Sequence, residues 1–255
     1  MNDNDSYVNG IVAAHTPVIT YDVWEKVNNL TPHIHAWANG HLYEIKLVGS
    51  VAKGTAITKT TDIDIFISLN PSVSSSNTLE DVYKTLHKRF DLSGHNPREQ
   101  NVSVGINHTG LKIDVVAGVQ QNTLGTDHSI WKRKAQTWTK TNVDTHVRHV
   151  SGSGRTADIK AVKIWRKLRG LDFPSFYLEL SVIEALKGKP LLFGSPSDNF
   201  VTVMNYLNDE FIDKNITDPA NTANVVSEEL TRAEKQLIKN AAAQTLQGNW
   251  NQAIW

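Results

Sequence analysis

Apolar and polar positions alternate most clearly over residues 62–69, whose sequence is DIDIFISL. Successive side chains of a β-strand point to opposite faces, so every second residue of this stretch is apolar and shares one face. Asp62 and Asp64 then share the opposite face. Shorter alternating stretches predict further strands at 43–48, 101–106 and 110–117. The pattern therefore predicts a small sheet that carries two acidic side chains on one strand.

Apolar residues at three- and four-residue spacing predict the helices. In the first part of the chain they lie at 20–38 and 79–90. A Ser-Gly-Ser-Gly sequence at 151–154 indicates a flexible joint, and the pattern beyond it is helical at 157–169, 175–186, 198–212 and 227–246. We therefore expect an α+β fold, in which a small twisted mixed sheet with flanking helices occupies a lobe over residues 1–150. A helical C-terminal lobe occupies residues 151–255, and a cleft between such lobes is a common place for a small-molecule site.

Composition and charge exclude several classes of function. Lys+Arg and Asp+Glu are equal at 26 each, and the resulting net charge of zero predicts no strong attraction to nucleic acid or to an anionic membrane. The absence of cysteine excludes disulfides, thiolate catalysis and cysteine-ligated zinc. The sequence shows neither a signal-peptide pattern nor an apolar run approaching the ~20 residues of a membrane helix. We therefore expect a soluble, cytoplasmic protein without a membrane partner.

The first candidate chemistry lies in three aspartates on predicted strands. Asp62 and Asp64 project from the same face, and two carboxylates so close repel each other unless a cation neutralises them. Asp114 lies in a second alternating stretch, and it joins the pair if the two strands are neighbours. Oxygen ligands of this kind are typical of Mg²⁺ or Mn²⁺, and three carboxylates are enough to hold two metal ions. The alternative is an edge strand whose polar face carries solvated acids.

A turn that precedes Asp62 favours the metal site over the edge strand with solvated acids. Gly49-Ser50 follows a predicted strand directly and opens a short predicted helix. Glycine allows close approach of the backbone to a ligand, and exposed N–H groups with a serine hydroxyl can hold a phosphate. Taken alone, Gly-Ser is also an ordinary turn. Its position shortly before Asp62 would place a phosphate site beside a metal site.

In this order, Gly49-Ser50, Asp62-Ile63-Asp64 and Leu111-Lys112-Ile113-Asp114 resemble the DNA polymerase β-like nucleotidyltransferase superfamily. The sequences at 161–165 (AVKIW), 175–180 (SFYLEL) and 218–225 (DPANTANV) resemble its template-independent branch. That branch includes 2′-5′-oligoadenylate synthase, cyclic GMP-AMP synthase, their bacterial relatives and, more distantly, CCA-adding enzymes. The resemblance implies the nucleotidyltransferase fold, with a helical C-terminal lobe that closes the nucleotide cleft.

The resemblance also implies a role for each matched residue. Gly49, Ser50, Lys163 and Ser175 would hold a nucleoside triphosphate, and Asp62, Asp64 and Asp114 would be catalytic and would ligate two Mg²⁺ (or Mn²⁺) ions. Phe176 stands where the family usually has a tyrosine that stacks on the base, and Tyr177 is an alternative stacking residue. The opposing interpretations are an exposed helix lysine at 163 and core packing for both aromatic rings.

The reaction implied is attack of a ribose hydroxyl on the α-phosphate of a nucleoside triphosphate, with ATP favoured, and release of pyrophosphate. The late motifs favour a cyclic or linear oligonucleotide second messenger of the antiphage type. The alternatives are nucleotide addition to an RNA 3′ end, nucleotidylation of a small molecule or protein, and a nucleotide-binding module without turnover. An RNA acceptor or activator is compatible with the sequence but not favoured by its balanced charge.

Other polar clusters carry weaker signals. His33-x-His35 and His146-x-x-His149 have metal-ligand spacing, but no cysteine or nearby acid completes a zinc set, so ordinary histidines are favoured. Residues 131–134 (WKRK) place an aromatic ring beside three basic residues, for which a solvated surface is the favoured interpretation.

Overall fold

The structure is a computed structural model that describes residues 3–18, 21–57, 62–191 and 194–248. Two compact units make up the described chain. The sheet unit takes its described residues from 18–52 and 61–147, and the helical unit takes them from 1–17, 53–60 and 148–255. The predicted lobe boundary at residue 151 lies near the start of the last of these segments. The helical unit also includes two segments from earlier in the chain.

The sheet contains seven strands: β1 Leu42–Leu47, β2 Ile63–Leu69, β3 Arg98–Glu99, β4 Val104–His108, β5 Leu111–Gln120, β6 His128–Lys132 and β7 Thr137–Thr141. Their order is β1-β2-β5-β4-β3, and β6 pairs with both β5 and β7. Strands β2 and β5 are parallel, whereas the other pairs are antiparallel. The predicted mixed sheet is therefore confirmed, although the hydrophobic pattern did not indicate β3, β6 or β7.

Strand β2 is central because its apolar face fills the core of the sheet unit. Ile63, Ile65, Ile67 and Leu69 are all buried, and they pack in one cluster with Phe90 and other apolar residues. The opposite face is also covered along its second half, since Phe66 and Ser68 are buried. Because β2 lies between β1 and β5, the interpretation of residues 62–69 as an edge strand is wrong.

The helices are α1 Asp3–His15, α2 Tyr21–Asn28, α3 Thr31–Ala38, α4 Gly49–Ala52, α5 Leu79–Leu92, α6 Val143–Ser151, α7 Thr156–Leu168, α8 Ser175–Ala185, α9 Pro196–Asp209 and α10 Arg232–Gln247. The prediction of a single helix over 20–38 is wrong, because the chain forms two helices, α2 and α3, that are interrupted after Asn28. Residue 20 lies outside the described residues. Pro32 occupies the first turn of α3, where its missing N–H is tolerated and a new helix begins. At α5, a capping box between Thr78 and Asp81 fixes the start of the helix.

The helical unit is built around an aromatic core. Trp165, Tyr177, Phe173 and Phe211 are almost completely buried, and the ring centroids of Tyr177 and Phe211 lie 5.1 Å apart in a stacked arrangement. A small hairpin of β8 Thr217–Asp218 and β9 Asn221–Val225 precedes the last helix. In the described residues, no helix is both long and apolar enough to cross a membrane.

Helix α1, which the pattern analysis did not predict, is tied to α9 by a buried acid. Asp5 Oδ1 accepts hydrogen bonds from Ser195 Oγ at 2.7 Å, from Ser197 Oγ at 2.8 Å and from the Ser197 backbone N–H at 3.1 Å. These donors, Ser195 first, hold the pKa of Asp5 below its ordinary value. The start of α1 is thereby fixed to the start of α9.

Three histidines that are far apart in sequence pack together in the sheet unit. The ring of His95 lies edge-on to those of His33 and His108, with centroid distances of 5.3 and 5.0 Å. The Nε2 atoms of His95 and His108 are buried and have no hydrogen-bond partner in the described structure. Burial lowers the pKa of both rings, and the charges of neighbouring histidines, with Lys26 for His108, lower it further. The cluster is therefore accommodated in its neutral form.

We expect this cluster to make the sheet unit acid-sensitive. The unfolded chain takes up protons at the ordinary histidine pKa of 6.5, whereas the folded chain takes them up only at lower pH. The neutral histidines therefore contribute their full stability to the fold above pH 6.5. This contribution is lost as the pH falls through the lowered pKa values of His95 and His108. His95→Phe keeps an aromatic ring that cannot be protonated, so the variant should lose less stability on acidification.

Urea unfolding at about pH 7.5 and about pH 5.5 measures this difference for wild type, His95→Phe and the exposed control His35→Gln. The control should follow wild type. If His95→Phe also loses as much stability as wild type, the histidine cluster does not cause the acid sensitivity.

Candidate functional site

The sheet brings two of the three predicted aspartates side by side. Strands β2 and β5 are parallel neighbours, and their register pairs Asp64 directly with Asp114. Asp62 is exposed and immediately precedes β2. Burial raises the pKa of Asp114, and the negative charge of Asp62 raises it further. The three carboxylates thus lie near one another at the same end of two adjacent strands, and the charge of Asp62 acts on Asp114.

The donor chemistry of this neighbourhood fits a hard divalent cation. Carboxylate oxygens are the preferred ligands of Mg²⁺, and a cation would offset the repulsion that raises the pKa of Asp114. Within the described ranges, however, no group of three histidine, cysteine, aspartate or glutamate side chains lies close enough to hold one ion. The side chains of Asp62, Asp64 and Asp114 are therefore neighbours that do not converge on a single point in this structure.

The position of Asp114 is set by a residue that the motifs did not indicate. Gln100 Nε2 donates a hydrogen bond of 2.7 Å to Asp114 Oδ1, and Ser103 Oγ donates one of 2.9 Å to Gln100 Oε1. The hydroxyl of Tyr83, on α5, donates to the backbone carbonyl of Gln100 at 2.9 Å. Gln100 therefore links the third carboxylate to a loop that is itself anchored on a helix. A glutamine in a loop has no sequence signature, and only the fold reveals the contact.

The Gly49-Ser50 turn lies directly against the second aspartate. The Val48 backbone N–H donates to the Asp64 carbonyl oxygen at 2.9 Å, so the turn begins beside that residue. Gly49 has a φ of 62°, and a Cβ atom on it would overlap the Asp64 carboxylate. A larger residue is thus excluded twice, by backbone conformation and by contact. The structure confirms that the predicted phosphate turn and the acidic strand are adjacent.

Lys163, in the helical unit, is not an exposed helix lysine. Its side chain is buried, and its Nζ donates to Glu179 Oε1 at 2.6 Å and to Thr55 Oγ1 at 3.0 Å. Lys53 Nζ donates to the other carboxylate oxygen of Glu179 at 2.9 Å, and Thr55 Oγ1 donates to Glu179 Oε1 at 2.7 Å. Two ammonium groups therefore share one buried carboxylate, which we call the Glu179 cluster (Lys53, Thr55, Lys163 and Glu179).

The Glu179 cluster carries an excess of positive charge. Burial alone would raise the pKa of Glu179, but Lys53 and Lys163 together hold it below its ordinary value, so the carboxylate is charged. Burial lowers the pKa of Lys163, whereas the charge of Glu179 raises it. With both lysines protonated, one negative charge faces two positive charges in a low-dielectric environment. Such an excess is stabilised by an additional anion. Lys53, whose side chain is 11% exposed, is the more accessible of the two lysines, and the motifs did not identify it.

The remaining predicted residues lie at the start of α8. Ser175 is exposed, and its Oγ accepts a hydrogen bond of 3.1 Å from Arg166. Phe176 keeps part of its surface exposed, and Lys53 Nζ lies 4.4 Å from the centroid of its ring. Tyr177 is 0% exposed and packs in the aromatic core, which matches the core-packing interpretation for that ring. Of the two predicted stacking residues, Phe176 is therefore the one with accessible surface.

Comparison with known families decides what kind of domain contains these residues. The profile of the family described as "Nucleotidyltransferase domain" matches residues 36–116. The chain contains a nucleotidyltransferase domain. The match includes Gly49, Ser50, Asp62, Asp64 and Asp114 within one continuous range, and it confirms the resemblance stated from the motifs.

Relatives of this nucleotidyltransferase domain include a cyclic AMP-AMP-AMP synthase of Escherichia coli (strain MS 115-1). It is 23% identical over 170 residues, which cover 62% of this chain and 51% of the relative. The alignment therefore spans about half the length of that protein.

Two solved structures extend the likeness to the whole fold. E. coli MS115-1 CdnC with ATP superimposes with a TM-score of 0.76 at 18% identity, covering 95% of this chain and 90% of that one. The CD-NTase CdnG of Bradyrhizobium diazoefficiens, in complex with GTP, has a TM-score of 0.75 at 11% identity, covering 99% and 95%. At these identities the likeness establishes a shared fold, which extends well beyond the matched range of the nucleotidyltransferase domain.

Proposed function

We propose that the protein is a metal-dependent nucleotidyltransferase that joins nucleoside triphosphates, releases pyrophosphate and makes a cyclic or linear oligonucleotide messenger. The observation that carries the proposal is the pairing of Asp64 with Asp114 beside the Gly49 turn, inside a nucleotidyltransferase domain. A module that only binds nucleotides does not require carboxylates that repel each other, whereas phosphoryl transfer uses them to hold cations.

In the sheet unit, Asp62, Asp64 and Asp114 would hold two Mg²⁺ (or Mn²⁺) ions. When bound, such ions lower the pKa of an attacking hydroxyl and neutralise charge on the leaving pyrophosphate. Gln100 uses one lone pair of Asp114 Oδ1, so Oδ2 and the second lone pair of Oδ1 would serve a cation, and Oδ2 would take the proton of the hydroxyl. Gly49 and Ser50 would offer backbone N–H groups and a hydroxyl to phosphate oxygens.

In the helical unit, the excess charge of the Glu179 cluster supports binding of an anion. A triphosphate would supply the missing negative charge to Lys163, as the motifs imply, and also to the more accessible Lys53. Ser175 adds a hydroxyl at the start of the same helix. The exposed part of the Phe176 ring supports stacking on a base, and Lys53 beside that ring would link base and phosphate recognition.

The comparisons support nucleoside triphosphates as substrates. The curated relative is named a cyclic AMP-AMP-AMP synthase, and the two solved structures contain ATP and GTP. We propose ATP as the favoured substrate and the nucleotide itself, rather than an RNA end, as the acceptor. The net charge of zero agrees with an acceptor that has few phosphates.

Incubation of nuclease-treated protein with labelled ATP, GTP, CTP and UTP and with Mg²⁺ or Mn²⁺, followed by phosphatase, tests this function. A phosphatase-resistant product would indicate a cyclic messenger, and a shortened ladder would indicate a linear one. Label that enters product only when RNA is added would replace the proposal with RNA 3′-end addition. Retention of NTP without any product would instead indicate a binding module.

A further inference from the structure

A cavity of about 510 Å³ in the helical unit lies outside the residues proposed for nucleotidyl transfer. It is formed by the end of α6, the joint that leads to α7, and the turn that follows α8. None of the residues proposed above for metal, phosphate or base binding is among its described lining residues. Its size falls within the range of about 300–1,000 Å³ that is usual for small-molecule sites.

The polar side of this cavity is basic. Its charged lining residues are Arg148, Arg155, Lys187 and Lys189, and His149 adds an imidazole. Among the described residues that line it, none carries a carboxylate. The nearest acid to Lys187 is Glu184, at 3.9 Å, and that glutamate makes a closer pair with Lys214 at 2.8 Å. Arg155 is paired with Asp158 at 3.8 Å, so the positive charge offered to a ligand rests mainly on Lys187 and Lys189.

The basic turn is held in place by a buried arginine. Arg155 is 5% exposed, and its guanidinium donates to the carbonyl oxygens of Lys189 at 2.6 Å, Leu186 at 3.3 Å and Pro190 at 3.5 Å. Gly188, with a φ of 78°, allows the chain to reverse between the two lysines. Lys187 and Lys189 therefore extend from a fixed backbone, which reduces the entropy lost when they bind a ligand.

The other side of the cavity is apolar. Ile183 and Leu186 contribute from α8, and Leu191 packs against Gly154, where an added Cβ would lie 2.9 Å from Leu191 Cδ2. Leu191 is 61% exposed, so its side chain is accessible to a ligand. The cations on one side would contact a phosphate group, and the apolar residues on the other would contact a flat, weakly polar ring. A ligand that combines both groups therefore matches the cavity.

We propose that this cavity binds a phosphorylated small molecule of nucleotide size, at a site separate from the transfer reaction. The short cluster of cations favours a small molecule over a nucleic-acid strand, whose backbone would need a longer basic track. A ligand bound here would contact α6, α8 and the joint before α7, so its binding would be coupled to the arrangement of these helices.

Equilibrium dialysis with radiolabelled ADP in EDTA, fitted to two sites, provides the test. EDTA removes metal-dependent binding at the carboxylates, and the second site accounts for ADP at the Glu179 cluster proposed above for phosphate, so the cavity variants should weaken only one of the two sites. Lys189→Glu and Lys187→Glu should each weaken ADP binding about tenfold, because each reverses a charge that would contact phosphate. Lys167→Glu, an exposed lysine of the same unit outside the cavity, makes the same change in net charge and should bind ADP like wild type. Melting temperatures of all three variants should match wild type.

Equal ADP binding by Lys189→Glu, Lys187→Glu and wild type would overturn the proposal. A short single-stranded RNA that binds more tightly than ADP, with an affinity that Lys189→Glu reduces, would overturn it in favour of nucleic-acid binding. Product formation from NTPs by Lys189→Glu should remain at the wild-type level, since the lysine is outside the proposed reaction site.

Discussion

Asp64→Asn should abolish nucleotidyl transfer while the protein stays folded. The substitution keeps the shape of the side chain but removes a charge that the proposed reaction needs for its cations. We expect the rate to fall at least about a thousandfold, which corresponds to about 4 kcal/mol in the activation barrier. The melting temperature should be unchanged or slightly higher, because repulsion between the paired carboxylates of β2 and β5 is relieved.

Product assays measure the expected loss of activity, and thermal melts measure the expected retention of stability. Asp91→Asn is the matched control, because Asp91 is an exposed aspartate of the same unit, in the last turn of α5. It should keep wild-type activity. An active Asp64→Asn protein would remove Asp64 from the reaction, and an unfolded one would show that the carboxylate has a structural role instead.

Glu179→Gln should have the largest effect on stability. The variant keeps the size of the side chain but leaves Lys53 and Lys163 without the carboxylate that they share. Removing one partner of a buried ion pair leaves charge uncompensated in a low-dielectric environment. We therefore expect the free energy of unfolding to fall by about 3–5 kcal/mol.

Glu184→Gln is the matched control, since Glu184 lies on the same helix but pairs with Lys214 near the surface. Solvent screens such a pair, so its loss should be a small fraction of the loss at Glu179. Urea unfolding followed by circular dichroism compares the two variants. Equal losses would mean that the buried cluster contributes no more than an ordinary surface pair.

The acidic half of the site was predictable because its information is local. The alternation over 62–69 identifies both the strand and the face that carries Asp62 and Asp64, and a second alternating stretch does the same for Asp114. Parallel pairing of these strands then brings Asp64 beside Asp114. The pattern could not predict that the two strands are neighbours, because the strand order depends on the whole chain.

The rest of the site depends on contacts that no local pattern encodes. The hydrogen bond between Lys53 and Glu179 joins residues that are 126 positions apart, so the sharing of one carboxylate by two lysines is visible only in the fold. Gln100 lies in a loop without a periodic pattern. Strands such as β7 escaped prediction because their side chains are mostly polar or exposed, with Trp138 55% exposed. A regular hydrophobic pattern arises where one face of an element is buried, and β7 buries little of its surface.

The way in which the chain passes between its units limits how it can be divided. The helical unit draws on three separate segments, one of which, 53–60, supplies Lys53 and Thr55 to the Glu179 cluster. A fragment that begins at the glycine-rich joint near residue 151 would keep Lys163 and Glu179 but lack both of these partners. Neither unit can therefore be expressed or exchanged with a relative as one continuous piece. A chimera must instead take Lys53 and Glu179 from the same parent, although more than a hundred residues separate them along the chain.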